Sequence, residues 1–174
     1  MFRKQIIAIG GALPAMPAVL LAWCYVDELF AFAPLPPDTT ADRLAFVATW
    51  LLIPGWALLA GIFGASRRGF IAGAIEGTRT PESWSLEVNL RYNQNTIEQV
   101  VLAAIAWACL ALALPHDRLL LIPGMAILFG IGRLTFWIGY RIHPLARSFG
   151  MTLTAFPTVI AYVWLAARQL GEVA

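Results

Sequence analysis

Five stretches of this 174-residue chain are long and apolar enough to cross a bilayer: residues 6–26, 44–64, 95–114, 119–140 and 149–170. A spanning helix needs about 20 mostly apolar residues, because a rise of about 1.5 Å per residue must cover about 30 Å of hydrocarbon. The stretches are rich in Ala, Leu, Ile, Gly and Trp and lack the period-2 alternation of a barrel strand. In hydrocarbon every backbone amide must find its partner within the protein, so such runs fold as helices. Composition agrees: 60% of the chain is hydrophobic and 13% charged, more apolar surface than one water-facing domain of this size can hide. It also excludes a disordered chain, a collagen-like repeat and a disulfide scaffold. Twelve basic and ten acidic side chains, net +2, leave no basic face for nucleic acid.

The expected fold is therefore all-α and integral to the membrane. Prolines 14, 17, 54, 123 and 157 fall inside or near the starts of the runs, where neighbouring helices can satisfy the freed carbonyls. The first run has a competing reading as a signal peptide, because Arg3 and Lys4 precede it and Ala31-Phe32-Ala33 resembles a cleavage site. The run exceeds a usual signal core, Asp27 and Glu28 stand before the site, and Pro34 would follow it. We read it as a retained helix.

Basic residues set the orientation. A cytoplasmic N-terminus puts Arg3, Lys4, Arg67, Arg68, Arg79, Arg91, Arg141 and Arg147 on the inner side. Arg43, Arg118 and Arg168 remain for the outer side, and Arg133 lies within a span. Asp27, Glu28, Asp38 and Asp42 gather in the first outer loop. The expectation is a multi-pass protein with its N-terminus in the cytoplasm, in the inner membrane if the source is bacterial. Cys24 and Cys109 lie inside apolar runs and read as buried thiols acting as small hydrophobes. His116 and His143 lack short-spaced partners, so no metal site is expected.

Residues 65–81 read as the longest inner connection, made irregular by Gly69, Gly73 and Gly77. The next helix is expected to begin ahead of the membrane, capped by Thr80 with Pro81 and Glu82 in its first turn, and to run to about Leu114. Along it Arg91, Asn95 and Glu98 stand at i, i+4 and i+7 and share one face. Glu98 lies just inside an apolar run, where a charge demands a partner. By depth, the match is Arg133 in the fourth span, giving a pair that either locks helices or belongs to a site. Arg133 and Tyr140, seven residues apart, share a face in turn.

Past Pro144, Arg147 and Ser148 open the final helix. An arginine beside a helix N-terminus suits an anion and raises the thiolate fraction of a thiol held there. The alternative is an arginine that simply marks the inner side. Arg67 and Arg68, at the inner end of the second span, read by default as snorkelling anchors.

Taken in order, Arg91-x-x-x-Asn95-x-x-Glu98, Gly132-Arg133, Gly139-Tyr140 and Arg147-Ser148 resemble the signature of the MAPEG proteins, the membrane-associated proteins in eicosanoid and glutathione metabolism. Ser66-Arg67-Arg68-Gly69-Phe70 is similar to the end of that family's first helix. The resemblance covers about residues 44–171 and implies a four-helix bundle there, with the helix in residues 1–33 as an addition. It further implies a homotrimer with glutathione as co-substrate bound between subunits. Arg91, Asn95, Glu98 and Tyr140 would hold glutathione, and Arg67 or Arg68 would reach in from the neighbouring chain. Arg147 would activate the thiol, with Ser148 assisting. The implied reaction joins the thiolate to an apolar electrophile from membrane lipid or reduces a lipid hydroperoxide. Gln94 and Val88 stand where many members carry arginines, and Phe136 replaces a Tyr or His. The rival expectation is a non-catalytic protein that keeps the fold for assembly, lipid binding or regulation; a transporter is a weaker third.

Overall fold

The computed structural model describes residues 6, 9–71, 73–76 and 83–173, and the regular structure among them is helical. We number the helices α1 (Ala15–Cys24), α2 (Val26–Leu29), α3 (Thr40–Trp50), α4 (Leu52–Ser66), α5 (Trp84–Ala113), α6 (Leu121–Ile142) and α7 (Ser148–Val173). Four segments have the length and hydropathy to cross a membrane: Thr40–Phe70, Trp84–Ala113, His116–Ile142 and Ser148–Gly171. They match the four spans read over residues 44–171, and the N-terminal apolar helix adds to them as expected. Its described part, Ile9–Cys24, is shorter than the 6–26 span. Leu13 and Pro14 form a turn within it, since Pro14 has no amide to give the preceding turn.

Proline also divides the second span. Pro54 cannot bond to the carbonyl four residues back, and α3 gives way to α4 at Leu51. Beyond Ser66 the chain tightens into a 3-10 turn, Arg67–Phe70, and Gly73 takes a φ of +80° that favours glycine. The expected cap at Thr80, with Pro81 and Glu82, lies outside the described residues.

Among the spans α6 is the most buried and the Thr40–Phe70 segment the least. The main core gathers Trp107 and Leu110 of α5, Met125 and Phe129 of α6, and Ala161 of α7. α6 and α7 lie closest. A Cβ on Gly150 would collide with the Phe136 amide nitrogen and the Gly132 carbonyl, so only glycine permits this crossing. α1 packs across α7 through Ala15 and Val19, near Leu128 and Leu153. Cys24 and Cys109 are exposed, contrary to the buried thiols expected. The reason is the solvent: an apolar run in a membrane protein has a lipid-facing side as well as a core-facing one.

At the end of the bundle away from the Arg147 turn, Arg43 Nη1 donates to the Ala111 and Leu114 carbonyls, both at 2.8 Å. It thereby satisfies the C-terminus of α5. Its Nε also donates to Asp38 at 2.7 Å. His116 Nε2 meets the Pro36 carbonyl at 2.8 Å, and Arg118 pairs with Asp27 at 3.5 Å.

Candidate functional site

Phe129, Arg133, Phe136 and Tyr140 recur along α6 at three- and four-residue spacing, so they form one stripe, and all four are buried. Arg133 is only 1% exposed. Its Nη1 donates to Asn95 Oδ1 on α5 at 2.8 Å. Nε and Nη2 both donate to Thr154 Oγ1 on α7, at 3.2 and 2.8 Å. Thr154 passes its own hydroxyl hydrogen to the Gly150 carbonyl at 2.7 Å. The guanidinium also lies over Phe136, 4.6 Å from the ring centre, and 5.8 Å from that of Phe129. One arginine thus joins three helices.

The expected Arg133–Glu98 pair does not form. Glu98 is exposed and accepts a hydrogen bond from Gln94 Nε2, at 2.9 Å on its own helix. Three residues advance a helix by about 300°, so Asn95 sits about 60° round the axis from Glu98. That rotation brings the amide, and not the carboxylate, to the bundle interior. Arg91 is also exposed and lies 4.0 Å from Glu87 of the same helix, an interaction of little energetic weight. Of the three residues on the predicted face, only Asn95 meets α6.

Tyr140 is the hub of the opposite cluster. Phe136 stacks with it at 5.9 Å, Trp84 at 5.8 Å, and the Arg147 guanidinium stands 4.7 Å from its ring centre. Arg147 and Arg133 are therefore linked through a stacked Tyr140–Phe136 pair. The local chain explains how Arg147 arrives there. Residues preceding proline favour extended backbone, and His143, before Pro144, has φ −157° and ψ 138°, ending α6. A short turn follows. Gly139 permits its close return, because a Cβ there would come within 2.6 Å of the Ala146 carbonyl. Ser148 donates its hydroxyl to the Leu145 carbonyl at 2.8 Å, and its amide bonds to the same oxygen at 3.2 Å. Arg147 and Ser148 are both partly exposed. The N-terminal helix passes close by: a Cβ on Gly11 would stand 3.3 Å from Ser148 Cβ.

Arg67 and Arg68 are exposed on the 3-10 turn after α4. Arg67 lines a cleft of about 350 Å³ among α4, α5 and α6, together with Asn89, Tyr92, Arg133 and Trp137. Sequence reasoning passed over Asn89, Tyr92 and Trp137. Asn89 Nδ2 donates to the Gly64 carbonyl at 3.2 Å, and Asn89 Oδ1 accepts from Trp137 Nε1 at 3.0 Å. Tyr92 Oη donates to the Ala57 carbonyl at 3.1 Å. Asn89, Tyr92, Thr96 and Gln99, all buried at three- and four-residue spacing, mark a polar stripe on α5. That periodicity was the available signal.

The model of the MAPEG family matches residues 43–167. Transmembrane protein 79 of Bos taurus is 27% identical over 166 residues, covering 92% of this chain and 40% of the relative. Transmembrane protein 79 of Mus musculus is 25% identical over 162 residues, covering 90% of this chain and 41% of the relative. The chain thus spans about two fifths of the length of these curated relatives. No solved structure gives a significant match.

Proposed function

The chain belongs to the MAPEG family, and from that premise we propose that it is a trimeric membrane glutathione transferase that also reduces lipid hydroperoxides. The observation that carries this reading is the placement of Arg147. It is a partly exposed cation immediately before the N-terminus of α7, held 4.7 Å from the Tyr140 ring centre. A fixed positive charge beside a bound thiol favours the thiolate, which is the nucleophile. Arg91 and Glu98, exposed on α5 and without interhelical partners among the described residues, suit a carboxylate and the amino group of glutathione. Asn95 Oδ1 is engaged by Arg133, which leaves its Nδ2 to donate. This half-site on an outer helix face calls for a neighbouring chain, and Arg68 is the group that would reach across.

In the reaction, the glutathione thiol releases its proton to water and the sulfur bonds to an electrophilic carbon of an apolar substrate. The displaced electron pair leaves with the departing group or takes up a proton. With a lipid hydroperoxide, the thiolate takes the distal oxygen, a lipid alcohol departs, and a second glutathione closes the disulfide with loss of water. Ser148 would orient the turn that carries Arg147. By this reading the protein is a multi-pass membrane protein with its N-terminus and the Arg147 turn on the cytoplasmic side.

A second reading rests on the Asn95–Arg133–Thr154 network. It spends the interior polar groups on one another, as helix glue in a non-catalytic member would. Conjugation of glutathione to a small apolar electrophile, measured on detergent-purified protein beside Arg147→Ala, separates the two. Activity abolished by the substitution supports the enzyme. Absence of both activity and glutathione-dependent stabilisation in the unsubstituted protein supports the second reading.

A further inference from the structure

The turn that carries Arg147 is gripped through two glycines on two other helices. An added Cβ on Gly139 of α6 would meet the Ala146 carbonyl oxygen at 2.6 Å and the Arg147 amide nitrogen at 3.1 Å. An added Cβ on Gly11 of the N-terminal helix would meet Ser148 Cβ at 3.3 Å, the Leu145 carbonyl oxygen at 3.8 Å and the Phe149 amide nitrogen at 3.9 Å. These neighbours are backbone atoms or a Cβ, which no change of rotamer moves. Arg147 depends on its backbone for its place. No carboxylate pairs with it among the described residues, and the contact that holds its guanidinium is the Tyr140 ring. Gly11 stands outside residues 43–167, the part that matches the family, so the grip on this side is an addition to the shared bundle.

We propose that Gly11 is a positioning residue for Arg147, a role that rests on Arg147 acting on a glutathione thiol: the N-terminal helix, seated against Ser148 through the missing Cβ, fixes the distance from the guanidinium to that thiol. The attraction between a cation and a thiolate falls with distance, and a 1 Å misplacement can cost on the order of 100-fold in rate. Extra volume at Gly11 has to push either the helix or the turn away, and both loosen the turn.

The test compares Gly11→Leu with Gly10→Leu in the full chain in detergent. The same change is made in adjacent residues, but nothing lies within 4 Å of a Cβ added at Gly10. The turn at Leu13 and Pro14 separates Gly11 from the seam at Ala15 and Val19, so the two variants should melt together. Hydrogen exchange read by mass spectrometry should be faster in Gly11→Leu at Ala146 and Ser148, whose amides bond to the His143 and Leu145 carbonyls, and parental in Gly10→Leu. Gly11→Ala, which asks its neighbour to give by a few tenths of an ångström, should exchange at an intermediate rate. With glutathione and a small apolar electrophile, Gly11→Leu should move the rising limb of the pH–rate profile toward the free-thiol value of about 8.5. It should also lower kcat at neutral pH by about tenfold or more, with KM for glutathione unchanged. Parental exchange in Gly11→Leu, or equal effects of the two leucine substitutions, would overturn the proposal. So would faster exchange with an unshifted pH profile, which would leave the helix a prop for the turn and no more. A parent protein without glutathione turnover would overturn the enzyme reading itself, and is told apart because exchange at the turn is read without glutathione.

Discussion

Arg133 and Asn95 form the pivotal contact of the bundle, a 2.8 Å hydrogen bond from a buried guanidinium on α6 to an amide oxygen on α5. It takes a residue expected to hold ligand and turns one side of it inward, toward the structure. Removing the acceptor leaves a charged donor orphaned. Interhelical bonds in membranes average about 0.6 kcal/mol, and bonds to charged groups in water-soluble proteins about 1.5–3 kcal/mol. Asn95→Ala should therefore cost about 1–2 kcal/mol, with Thr154→Val similar, by unfolding in mixed micelles. A double-mutant cycle between Asn95 and Arg133 should show coupling of that order.

Gly150 tests the α6–α7 crossing. Gly150→Ala drives a methyl group into the Phe136 amide and the Gly132 carbonyl, neither of which can yield. It should destabilise the fold by about 3 kcal/mol or more. Gly55 sits within α4 with nothing within 4 Å of an added Cβ. Gly55→Ala should be neutral or stabilising by up to about 1 kcal/mol. Melting temperatures of the two variants should fall on opposite sides of the parent or nearly so.

These contacts also mark what a linear sequence reveals. Hydropathy locates the helices closely: the apolar run 119–140 corresponds to α6, Leu121–Ile142, and 149–170 to α7, Ser148–Val173. Tertiary packing supports those runs everywhere along their length, so the pattern is redundant. The break at Leu51 is not legible in hydropathy, because it turns on one missing amide at Pro54 within an apolar run. Depth along a helix does not fix rotation about its axis, and so Asn95, rather than the expected Glu98, meets Arg133. Thr154 gave no signal at all. A threonine in an apolar stretch looks like filler until α7 is packed against α6.

The N-terminal helix has a specific docking place beside Ser148. In a background with Cys24→Ala and Cys109→Ala, the pair Gly11→Cys and Ser148→Cys should form a disulfide under mild oxidation. The projected Cβ separation of 3.3 Å lies near the usual range of about 3.5–4.5 Å. Gel mobility after proteolysis between the two positions would show it. Free fragments under oxidising conditions would mean that the start of the N-terminal helix does not rest beside Ser148.

The role assigned to Arg147 has a pH signature. A cation beside the thiol lowers the thiol pKa, so the thiolate persists toward lower pH. Without that cation the rising limb of the pH–rate profile should move up, toward the free-thiol value of about 8.5. Arg147→Ala should show this alkaline shift together with a kcat loss on the order of 100-fold at neutral pH. Arg147→Lys should recover part of both, since it restores charge without the guanidinium held over Tyr140. A uniform loss with an unshifted profile would make Arg147 an anchor for glutathione and not its activator.

Under the proposed function this bundle would hold glutathione as its thiolate, a state that ultraviolet thiolate absorbance reads directly. Titrating glutathione into the detergent-purified protein at neutral pH should produce a saturable thiolate band that Arg147→Ala abolishes. Saturation with no thiolate band would contradict activation, and the absence of any glutathione binding would contradict the enzyme account as a whole.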